Sequence, residues 1–84
     1  MSDDIKFILQ RYPSFKENIL KAYAVNEEFK GLCEDIYSMT QTLEHHSSKV
    51  FSDQNNEIEY RKLLLELESE FLKYLSDERN FRNN

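Results

Sequence analysis

The sequence predicts an all-α protein built on an antiparallel, coiled-coil-like helical hairpin, with one or two additional short helices ahead of it. Three observations predict this class. The 84 residues include one Gly and one Pro, too few turn residues for a sandwich or a barrel. A hydrophobic fraction of 39%, with six Phe and five Tyr, is enough apolar material for a packed core. Apolar side chains also recur at helical spacing along most of the chain. A chain this short makes one small domain, residues 1–84.

Ile5, Ile8, Leu9 and Tyr12 repeat at i, i+3, i+4, i+7, which predicts a short amphipathic helix over about 3–11 with Ser2 as its cap. Pro13 ends it, because the ring disfavours a helical conformation at Tyr12 and supplies no backbone donor. Ser14 with Glu17 three residues on has the form of a capping box, so a second helix is expected over about 15–24. Asn26, followed by Glu27 and Glu28, reads as the cap of a third helix over about 27–50. The polar run Ser52 to Asn56 is the most loop-like internal stretch. Asn56 and Glu59 form a further capping pair that would open a last helix over about 56–80, with the tail beyond Asn80 frayed.

The middle of the chain carries the strongest signal. Phe29, Leu32, Ile36, Met39, Leu43, His46 and Val50 step by alternating three and four residues, the spacing of a helix that buries one seam. Tyr60, Leu64, Leu67, Phe71 and Tyr74 answer with the same rhythm. Pairing His46 with Tyr60, Leu43 with Leu64, Met39 with Leu67, Ile36 with Phe71 and Leu32 with Tyr74 gives position numbers of nearly constant total, centred on the polar run. Two antiparallel helices joined at that run produce this symmetry. His46 and Tyr60 would then form a polar pair that sets register within the seam.

Burying one large apolar side chain is worth about 1.5–3 kcal/mol, much of it offset by chain ordering, so two helices alone are marginal. Ile58, Leu65 and Leu72 form a second stripe on the last helix, wider than one partner covers. Either the N-terminal helices, through Ile5, Ile8, Leu9, Phe15, Ile19, Leu20 and Tyr23, or a second chain is expected to cover it. Phe7, Phe51 and Phe81, at helix ends or in the loop, are candidate anchors for a protein partner.

Chemistry-bearing constellations are sparse. His45 and His46 are neighbours and diverge by about 100° on a helix, so they do not converge on one ion, and no metal site is expected. Cys33 has acidic neighbours, Glu34 and Asp35, which raise a thiol's pKa, so it reads as a core residue and not a nucleophile. Glu66, Glu68 and Glu70 alternate around their helix as a solvated face. No phosphate loop surrounds the single Gly31, so no cofactor, catalytic residue or enzyme activity is expected. A net charge of −5, shared as −2 over residues 1–42 and −3 over 43–84, disfavours nucleic acid. One Cys and an acidic N-terminus without a long apolar run suit a reducing, cytoplasmic location, and no stretch has the length of a membrane span.

The run Tyr12-Pro13-Ser14-Phe15-Lys16-Glu17, then Ile19, Asn26, Phe29, Leu32 and Glu34-Asp35, resembles the front half of the YdcH-like family of small bacterial proteins. Arg61-Lys62, Leu65, Leu67, Glu70-Phe71 and Leu75 are similar to that family's second helix, so the resemblance spans roughly residues 12–75. The chain departs from it at Glu66 and Glu68, where the family is lysine-rich, and around His45, His46 and Val50-Phe51. The resemblance implies a helical hairpin domain of unknown function with no catalytic residues to carry over. The expectation is therefore a non-enzymatic module for protein–protein interaction or self-association, as in a homodimer. The alternative is a small regulatory nucleic-acid-associated protein that docks through Arg61, Lys62 and Lys73.

Overall fold

The computed structural model describes residues 2–50 and 54–81, without the side chains of residues 45–50, 54, 55 and 78. There are four α-helices, α1 (Asp3–Arg11), α2 (Lys16–Val25), α3 (Glu27–Val50) and α4 (Gln54–Ser76); a 3-10 turn at Pro13–Phe15 joins α1 to α2, and another at Glu78–Phe81 follows α4. No strand occurs among the described residues. Asp3 and Asp4 in the first turn of α1 and Arg11 in its last complement the helix dipole. Ser2 occupies the N-cap position in extended geometry, but its hydroxyl makes no cap bond and lies 3.2 Å from the Tyr23 hydroxyl instead.

The Ser14–Glu17 capping box does not form. Pro13 starts a 3-10 turn, which places Ser14 inside that turn and puts Phe15, not Ser14, in the cap position of α2. The break at Asn26 is as expected. Its backbone is extended, its N–H donates to Ala22 to close α2, and its Oδ1 accepts the Phe29 N–H at 3.0 Å to open α3. α4 begins at Gln54, so Asn56 and Glu59 lie within the helix and do not cap it. It ends at Ser76, short of the expected 80, because Asp77 N–H and the Asn80 side-chain amide both donate to the Tyr74 carbonyl and Asp77 Oδ1 accepts the Arg79 N–H.

α3 is the central helix, packed by α1, α2 and α4. One core contains Ile5 and Ile8 of α1, Ile19 and Ala22 of α2, Phe29, Cys33 and Ile36 of α3, and Phe71 and Leu75 of α4. The start of α3 meets the end of α4: Asn26 Nδ2 donates to the Tyr74 hydroxyl at 3.1 Å, and the Phe29 ring stacks on Phe71 at 5.2 Å between centroids. Further along, Asp35, Ser38 and Met39 line one hollow with Leu63 and Leu67.

Phe71 stacks on Phe29 within the core that also holds Ile36, its expected partner, and Tyr74 reaches Asn26 and Phe29; Met39 and Leu67, another expected pair, line one hollow. Phe71 is also gripped by Tyr12 at 4.9 Å, so a third element helps to set where α4 sits along α3. Burial on α3 departs from the heptad series. Phe29, Cys33, Ile36, Thr40 and Leu43 are buried, whereas Leu32 and Met39 are half-buried, because α1 and α2 cover one flank of the seam. The N-terminal helices therefore spend their apolar faces on α3 and leave the second stripe of α4 uncovered.

Candidate functional site

At about 100° per residue, side chains seven apart on a helix fall nearly on one line. Ile58, Leu65 and Leu72 lie on such a line along α4 and are 46%, 66% and 37% exposed, so the structure places the three predicted stripe residues together on the surface. Lys62, Glu66, Ser69 and Lys73, all exposed, follow one flank of the line. The other flank carries Arg61, paired with Glu57 at 2.9 Å, and Glu68, which accepts a 2.8 Å bond from Arg11 at the end of α1. A hollow of about 230 Å³ beside Leu65 is lined by Arg11, Arg61, Leu64, Leu65 and Glu68.

Two further hollows have about 310 Å³ each. One is formed by the consecutive residues Pro13 to Asn18. The other runs between α3 and α4 past Asp35, Ser38, Met39, Leu63 and Leu67. Leu63 stands 43% exposed there, and Val25 stands 83% exposed at the end of α2. Sequence reasoning singled out neither as surface apolar. The heptad count skips Leu63, which follows the charged pair Arg61-Lys62 on the opposite side of α4 from Leu65, and this placement is the signal that could have identified it.

The ring anchors expected from sequence are mostly engaged within the chain. Phe7 is half-buried, with its ring 5.5 Å from that of Tyr37 and the Arg11 guanidinium 5.9 Å from its centroid. Phe81 is half-buried and meets Tyr74 edge-on at 5.8 Å. Phe51 and the His46 side chain lie outside the described residues, whereas Tyr60 is 40% exposed on α4. Cys33 is fully buried, and desolvation, with lesser contributions from Asp4 and Glu34, pushes its thiol up to about 12.

Among the described residues, no three His, Cys, Asp or Glu side chains gather as metal ligands, and no helix is long and apolar enough to cross a membrane. Arg61 pairs with Glu57 and Arg79 with Asp77, so each of these cations faces a carboxylate. No family model, curated protein or solved structure matches the chain.

Proposed function

We propose that the chain is a non-enzymatic interaction module of the YdcH-like kind: an antiparallel, coiled-coil-like hairpin of α3 and α4, braced by α1 and α2, that presents α4 to another protein. The exposed line of Ile58, Leu65 and Leu72 carries this reading. A soluble helix ordinarily turns such a stripe inward, and an apolar stripe left in water with charged flanks is the usual form of a helix-docking surface. The spread of carboxylates and bases over several faces favours a contact surface over a reaction centre.

Affinity capture with the full chain as bait tests it. Leu65→Glu should remove at least about 90% of what wild type retains, because a desolvated carboxylate at the centre of the stripe costs well over 1 kcal/mol. Val25→Glu, at a still more accessible apolar residue outside α4, should leave capture unchanged. If the Leu65→Glu bait retains the same proteins as wild type, α4 is not the docking surface.

A further inference from the structure

We infer that the partner of α4 is the α4 of a second copy of this chain, running antiparallel about a two-fold axis at Leu65; this rests on α4 being the docking surface. The stripe is symmetric about its centre. A two-fold at Leu65 sets Leu65 against Leu65 and Ile58 against Leu72, joining the three exposed residues of each copy along about 21 Å of helix.

The charges choose the direction. An antiparallel two-fold brings each flank of α4 against the same flank of its copy. With a rise of about 1.5 Å per residue, Lys62 then lies within about 3 Å of the level of the copy's Glu66, and Glu59 within about 3 Å of the level of the copy's Lys73; the two Glu66 carboxylates also come within about 3 Å of one level, and each has the other chain's Lys62 beside it. Each pair of opposite charges occurs twice by symmetry. These four side chains are exposed, and none forms an ion pair with another described residue, so they are available to the copy. In a parallel pair opposite flanks meet at one level, which sets Lys62 beside Arg61 and Glu66 close to Glu68, like against like. Such ion pairs supply little affinity but do set orientation. The hollow beside Leu65 leaves room on the α1 side for the copy's apolar side chains.

Sedimentation equilibrium of the full chain from about 1 µM to 1 mM tests the association. Wild type should reach twice the 10.1 kDa chain mass, and Leu65→Glu should stay at the single mass with an unchanged helical circular dichroism spectrum. Lys62→Glu should raise the dissociation constant about tenfold, and the double change K62E/E66K should restore it, because each reversed charge meets the other's reversal across the axis. Chains with Ile58→Cys and Leu72→Cys, mixed and oxidised, should cross-link with each other in preference to themselves, while the buried Cys33 stays out of the reaction. A wild-type monomer throughout, a dimer that survives Leu65→Glu, or self-linking of Ile58→Cys would overturn the proposal. A monomer that still captures a different protein through Leu65 sinks the self-pairing and leaves the docking surface standing, whereas Leu65-independent capture sinks both.

Discussion

Cys33 has no exposed surface and lies on α3 between Phe29 and Ile36 in the core. Its thiol keeps its proton up to about 12 in the folded chain against an ordinary value of 9.0, so between those limits the unfolded chain releases a proton that the native chain retains. The stabilisation is complete below pH 9 and is lost as pH rises toward 12, at up to about 1.4 kcal/mol per pH unit. The Tyr23 phenol acts in the same sense: Ser2 lowers its pKa, but burial and the bond to Asp4 outweigh that effect. Urea midpoints across this window should therefore fall, and Cys33→Ala should flatten the fall relative to wild type. Parallel curves for the two proteins would place the thiol in contact with water. That Cys33 belongs to the core was legible from its neighbours, whereas the nearby Asp4 carboxylate, buried 29 residues earlier in the chain, was not.

Helix boundaries respond to chemistry within a few residues, and α3 shows both a good and a poor local choice. Asn26 is a side-chain cap that the sequence announces and the backbone uses. Gly31, by contrast, sits inside the same helix without a positive φ, and a Cβ at that position would meet nothing within 4 Å. Glycine there costs backbone entropy and returns no packing, so Gly31→Ala should stabilise the chain by about 0.5–1 kcal/mol, read as a higher urea midpoint with an unchanged slope. A loss of stability would mean that another surface closes on Gly31. Ser14 and Asn56 mislead for a common reason. A capping motif works only where the chain enters the helix, and Pro13 and the earlier start of α4 move that point.

The molecule as a whole is elongated, with extents of 51 × 23 × 21 Å and a radius of gyration of 14.2 Å, against about 12 Å for a compact chain of this length. Much of its cohesion passes through one aromatic row, in which Tyr12, Phe71, Phe29, Tyr74 and Phe81 touch in turn. Phe71 joins α4 both to α3 and to the end of α1, so Phe71→Ala should cost about 3–5 kcal/mol. A chain of 84 residues has roughly 4–13 kcal/mol in total. The thermal midpoint by circular dichroism should therefore drop by about 12 °C or more. A shift of only a few degrees would show that α4 stays docked on α3 and the end of α1 without that ring.

Helical class, the breaks at Pro13 and Asn26 and the presence of a surplus stripe at Ile58, Leu65 and Leu72 were determined by the sequence alone, because backbone stiffness, capping groups and side-chain period act locally. Which stripe is covered was decided only by tertiary structure. α1 and α2 land on α3, which joins Cys33 to Ile5, Ile8, Ile19 and Ala22 in one core and leaves Leu65 in water. Periodicity states that a face is apolar, but its cover depends on where distant helices come to rest, and that is settled by competition among several similar faces for one core.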